Sequence, residues 1–109
     1  MRIFALVAAL LAAAAPSPSP APSLSPAPKF VVHMHDFAFV PVSVTIHAGD
    51  AVTFINDDPV THDVTADSFQ SGPLEAGKHW THAFAAAGTY AYICSYHASM
   101  KGTIVVKPE

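Results

Sequence analysis

"VSVTIHAGDAVTFIN", residues 42–56, alternates apolar and polar side chains, turns at Gly49-Asp50, and then resumes the alternation. Val42, Val44 and Ile46 share one face of the first half, and Val52 and Phe54 share one face of the second. A period of two marks a half-buried strand, because successive side chains of an extended chain point to opposite faces. "HAGD" supplies the reversal: glycine reaches the backbone angles of a tight turn, and aspartate bonds nearby backbone. The stretch reads as two strands joined by a turn.

The same pattern extends in both directions. "FVVHMHDFAFVP", residues 30–41, sets Phe30, Val32 and Met34 against Val31, His33 and His35. Beyond the loop "NDDP" come "VTHDVTA" and a polar stretch, "DSFQSGPLEAGK". "HWTHAF" places Trp80 and Phe84 on a shared face, "AAAGT" turns the chain into "YAYIC", and "GTIVV" closes the unit. No helical period of useful length and no internal repeat occurs. About seven short, turn-punctuated strands predict an all-β fold, an antiparallel sandwich or barrel.

Upstream the composition changes. "MRIFALVAALLAAAA", residues 1–15, is one positive charge, an apolar run and a tail of alanines, the layout of a secretory signal peptide cleaved after Ala13 or Ala14. Its apolar run falls short of the about 20 residues that span a bilayer, so a membrane tether arises only if this segment is retained. Residues 16–28, prolines interleaved with serine and alanine, favour an extended spacer. The expected folded unit is residues 29–109, in an exported protein that is periplasmic or extracellular.

A unit of this size buries only about 60–65% of its unfolded surface. Its single cysteine rules out an internal disulfide. A bound metal would therefore add to folding free energy. Without Arg2 the chain carries four lysines against eight carboxylates, a net charge of −4 with histidine neutral. That balance excludes tracking of nucleic acid.

The lone Cys94 stands three residues before His97 and six before Met100, as C-x2-H-x2-M between two predicted strands. Thiolate, imidazole and thioether are all soft or borderline metal donors. A loop closed at both ends by a sheet can turn them toward one point, with His62, beside Pro59, as a fourth donor. Two histidines and a cysteine in a trigonal set with a weak axial methionine define a blue-copper electron-transfer site. Zinc accepts a similar set, but Cu(II) binds such donors more tightly.

These residues resemble the cupredoxins, small blue copper proteins, in their amicyanin and plastocyanin branch. "FAFVP", "IHAGDAVTFIN", "THDVT", "SGPLEAGK", "AGTYAYIC" and C-x2-H-x2-M followed by "KGTIVV" carry the resemblance, from about Phe30 to Val106. The two-residue gap between His97 and Met100 is similar to amicyanin. The resemblance implies a Greek-key β-sandwich with one copper ion, cycling between Cu(I) and Cu(II), held near one end by His62, Cys94, His97 and Met100. It implies an electron carrier rather than an enzyme, without a small-molecule substrate. His97 would be the electron's doorway, and Val60, Ala98 and Ser99 a small apolar patch for transient redox partners.

Two positions depart from the family pattern. Asp63 stands where asparagine is common, and it is expected to accept from the Ser95 hydroxyl or N–H. Tyr96 stands where proline is frequent, and its N–H is expected to donate to the Cys94 sulfur. The remaining residues take plainer roles. Met34 and Trp80 are core, and Tyr92 is a corner tyrosine bonding backbone. His33, His35 and His47 are surface imidazoles capable of adventitious metal binding, and His79 and His82 fall on opposite strand faces without a ligand role. Copper trafficking or storage is the alternative function, kept open by "HMH"; a cysteine nucleophile would leave Met100 without a role.

Overall fold

A computed structural model of the chain describes residues 29–109. The signal segment assigned to 1–15 and the spacer assigned to 16–28 lie outside the described residues. The described chain forms seven strands: β1 (Phe30–His35), β2 (Ala38–Val40), β3 (Ser43–His47), β4 (Ala51–Asn56), β5 (His79–Ala83), β6 (Gly88–Cys94) and β7 (His97–Lys107). They build a four-stranded sheet in the order β2-β1-β4-β5 and a three-stranded sheet in the order β3-β7-β6. The fold is all-β, as the alternation implies, and is the Greek-key sandwich that the resemblance implies.

The pairing is not uniformly antiparallel. β1 runs parallel to β4, and β3 runs parallel to β7. The chain crosses from one sheet to the other after β2, returns after β3, and crosses again after β5, so neighbours in space are often distant in sequence. Alternation fixes which face a side chain takes, not the direction of the partner strand.

The faces come out as expected for β1, where Val32 and Met34 are fully buried, and for Ile46, Val52 and Phe54. Ile104 and Val106 of β7 complete the layer from the other sheet. Val42 is an exception at 63% exposure. It precedes β3, in the crossing that follows Pro41, and so lies outside the strand whose alternation it seemed to share. Trp80 is half-buried and packs on the rim of the core.

The corner tyrosine is Tyr90, not Tyr92. The Tyr90 hydroxyl donates to the Ala86 carbonyl at 2.7 Å, whereas the Tyr92 hydroxyl is buried with no partner. Tyr90 sits beside the β5–β6 crossing, where turn carbonyls are free. Tyr92 lies deeper, where the β6–β7 ladder occupies the backbone. There its ring covers Gly102, its cross-strand partner, and meets Phe39 and Phe54 edge-on at 4.7 and 5.4 Å. A β-carbon at position 102 would overlap that ring, so the residue opposite Tyr92 must be glycine. Burial raises the Tyr92 pKa well above the ordinary phenol value. Tyr92→Phe is expected to hold or raise the urea midpoint, while Tyr90→Phe lowers stability by about 0.5–1.5 kcal/mol.

His82 faces inward from β5, stacked on Trp80 at 5.1 Å and packed against Phe69 and Phe84. Burial lowers its pKa from 6.5. The unfolded chain therefore takes the proton first, and a stability penalty grows as pH falls from 6.5 through the folded-state value. Unfolding midpoints measured across this range should fall more steeply in the parent protein than in His82→Gln.

Candidate metal centre

The loop after β4 is built on Asn56, a fully buried amide at the strand's end. Its Nδ2 donates to the carbonyls of Val60 (2.7 Å) and Leu74 (2.8 Å), and its Oδ1 accepts from the Asp58 N–H at 2.9 Å. His62 then exchanges two backbone bonds with Leu74, at 3.1 and 2.8 Å. Thr65 exchanges two with Ile93, at 2.8 and 2.9 Å. The segment carrying His62 is thereby sewn to the end of β6.

Cys94, His97 and Met100 do not lie in an open loop, as the spacing suggested. The β6–β7 ladder continues to a Cys94↔His97 pair, with an irregularity at Ile93/Cys94, and only Ser95 and Tyr96 form the turn. His97 and Met100 are therefore residues of β7. Apolar neighbours were too few at this end for alternation to show the strand. Cys94 is fully buried, and Met100, at 1% exposure, begins the inward series that Gly102 and Ile104 continue.

The Cys94 Sγ lies 3.7 Å from His62 Nδ1 and 3.8 Å from His97 Nδ1. These spacings suit a shared ion. With bonds of about 2.0–2.1 Å to nitrogen and about 2.3 Å to sulfur, an angle near 120° separates the donors by about 3.8 Å. The three form the one group of at least three metal-binding side chains that converges among the described residues. His33 and His35 do not join such a group; the His33 Nδ1 meets the Asp57 carboxylate at 2.6 Å on the surface.

Two residues that the sequence reading passed over complete the centre. Asp58 accepts from His62 Nε2 at 2.8 Å, from the Asp36 N–H at 2.7 Å and from the Phe37 N–H at 2.9 Å. Burial pushes its pKa up, but the bonds from Phe37, His62 and Asp36 outweigh it, and the carboxyl stays below its ordinary value. An ionised carboxylate only accepts, so the imidazole proton resides on Nε2 and the Nδ1 lone pair faces Cys94.

Asp36 and Phe37 form the two-residue turn between β1 and β2, both in the left-handed region at φ 53° and 59°. Glycine or asparagine would be usual there. The turn sets the Phe37 ring edge-on to His62 and His97, at 5.5 and 5.0 Å. The second carboxylate of "NDDP", four residues before His62, was the available signal for Asp58. Nothing local marked Phe37.

On the other side of His62, Asp63 accepts from the Ser95 N–H at 2.6 Å and from the Ser95 hydroxyl, as its position suggested. The hydrogen-bond contacts of the Cys94 sulfur are the two imidazoles; the expected donation from Tyr96 is not among them.

A family profile described as a cupredoxin-like domain matches residues 2–106. The chain belongs to the cupredoxin-like family. It is 38% identical over 79 residues to amicyanin-alpha of Methylorubrum extorquens, a match spanning 63% of this chain and 64% of that relative. It is 39% identical over 84 residues to plastocyanin of Scenedesmus fuscus, spanning 63% of this chain and 86% of that one. Among solved structures, amicyanin from Paracoccus versutus superposes with a TM-score of 0.70 at 27% identity, covering 76% of this chain and 85% of that chain.

In this cupredoxin, His62, Cys94 and His97, with Met100 in the same strand as His97, could hold a copper ion. Asn56 underlies that arrangement. Asn56→Ala would leave two carbonyls and an N–H in the loop without their partner. A loss of about 2–4 kcal/mol is expected by urea unfolding of the metal-free protein.

Proposed function

We propose that this cupredoxin is an exported carrier of single electrons, acting through one type 1 copper ion bound by His62, Cys94, His97 and Met100. The observation that carries the reading is the convergence of one buried thiol and two imidazole Nδ1 atoms within 3.7–3.8 Å. Copper, when bound, supplies a one-electron couple between Cu(I) and Cu(II). The protein's own part is to keep the donors where both valences accept them. Cys94 and His97 face each other across a strand pair, and His62 is held by Leu74, Asp58 and the Thr65–Ile93 bridge. Ligands anchored on paired strands resist rearrangement, which favours electron exchange over the release that trafficking would require.

His97 is the less buried of the two imidazoles; exposed Phe37 meets it in space, exposed Tyr96, Ala98 and Ser99 adjoin it in the chain, and exposed Val60 stands two residues before His62. We assign this rim as the docking surface for redox partners. Such encounters are small, below about 1,200 Å². Residues 1–15 serve as the export signal and 16–28 as the spacer in this reading, with the protein acting in the periplasm or outside the cell.

The copper-loaded protein should show an intense visible thiolate-to-copper band that bleaches on reduction and returns on oxidation. Cys94→Ser should abolish the band. Copper binding without colour, or release of the ion on each reduction, would instead favour trafficking or storage.

A further inference from the structure

Asp58 and Asp63 flank His62 in sequence and are both nearly buried, at 6% and 7% exposure. Buried carboxylates commonly pair with lysine or arginine, because an uncompensated charge in the interior is costly. Here the side-chain ion pairs among the described residues are His33–Asp57 and His62–Asp58, and no lysine meets either buried carboxylate. Their donors are backbone N–H groups, an imidazole and a hydroxyl. Every one of these groups directs an N–H or O–H at a carboxylate oxygen, so the hydrogen bonds formed by the two side chains are ones that they accept.

We propose that Asp58 and Asp63 are the counter-charges of the metal centre and bias it toward the oxidised ion. This rests on the copper reading above. With one thiolate and neutral imidazoles, the centre carries a net charge of +1 with Cu(II) and 0 with Cu(I). Asp58, bonded to His62, and Asp63, next to it in the chain, therefore attract the oxidised state and are indifferent to the reduced one. At short range in a partly desolvated site, each charge is expected to change the relative affinity for the two valences by about tenfold. For a one-electron couple that is ~59 mV. The protein then holds its electron weakly, and its physiological donor must be a correspondingly stronger reductant.

The two groups differ in what else they do, and this makes the inference testable. Asp63→Asn keeps an oxygen for the Ser95 N–H and places an amide beside the Ser95 hydroxyl, so it removes charge while leaving the tie between loops. Asp58 serves three donors on two oxygens, a task one amide oxygen cannot perform. Asp58→Asn therefore alters His62 and the Asp36–Phe37 turn as well as the charge. Asp57, exposed and paired with His33, is the surface control.

The experiment is a redox titration of the copper-loaded full chain, with Cu(I) and Cu(II) affinities from chelator competition. Asp63→Asn should raise the ratio of Cu(I) to Cu(II) affinity about tenfold, and the shift should persist at high salt because the charge is shielded from counterions. Ser95→Ala, which keeps the carboxylate but loses one bond, should not raise the ratio. Asp57→Asn should leave it nearly unchanged. If Asp63→Asn folds poorly, Asp63→Ser carries the same expectation. An unchanged or lowered ratio in the Asp63 variants, or an equal rise in Ser95→Ala, overturns the inference while a reversible blue band leaves the carrier reading standing. Failure of that band in the parent protein overturns the carrier reading itself.

Discussion

Cys94 and His62 are 32 residues apart in the chain, and the contact between their side chains depends on two backbone bonds between Thr65 and Ile93. These bonds splice an otherwise irregular segment onto the edge of β6. The segment has no hydrophobic period strong enough to form a strand of its own. It borrows one, pairing on one side with Ile93 and on the other, through His62 itself, with Leu74. The distance between His62 and Cys94 follows from that double attachment, and the distance between Cys94 and His97 from the β6–β7 pair.

Around it lies a chain of buried polar groups with matched partners. Asn56 holds Val60, Leu74 and Asp58; Asp58 holds His62 and the β1–β2 turn; Asp63 holds Ser95. In a low-dielectric interior such a network is stabilising only when complete, and a complete one permits a single arrangement. The result is that His62 is fixed from both sheets: through Asp58 to the four-stranded sheet and through Thr65 to β6 of the other. A metal ligand gripped in this way changes little in position when the charge at the centre changes, which suits a carrier better than an ion-releasing protein.

The all-β class and the buried faces of β1 and β4 were legible in the sequence because they depend on residue type and alternation, whereas the meeting of His62 with Cys94 and the Asp63–Ser95 tie, each across 32 residues, were expected from the family resemblance. Strand direction was not legible, since alternation in Ser43–His47 looks the same whether β7 runs parallel or antiparallel to it. Tyr92 had the sequence position of a corner tyrosine, yet only the depth of each ring decides which hydroxyl finds a free carbonyl. Asp58 and Phe37 escaped notice for a related reason. Their roles come from contact between residues 21 and 22 apart in the chain, across a turn whose sequence, Asp-Phe, is not one that left-handed turns favour.

That unusual turn shows how the interior and the surface are joined. Left-handed angles at two non-glycine residues cost free energy, and the Asp58 carboxylate offsets the cost by accepting from both of their N–H groups. What the fold obtains is a large apolar ring, 48% exposed, nearly perpendicular to both imidazoles. One carboxylate thus fixes the tautomer of the buried His62 and the placement of Phe37, an aromatic residue of the proposed docking rim. In the proposed reading, the energy of the centre is set from inside by charge, and access to it from outside by an apolar side chain. Because Asp58 serves both, a change at the turn would be felt at His62 without any contact between the substituted side chain and the metal.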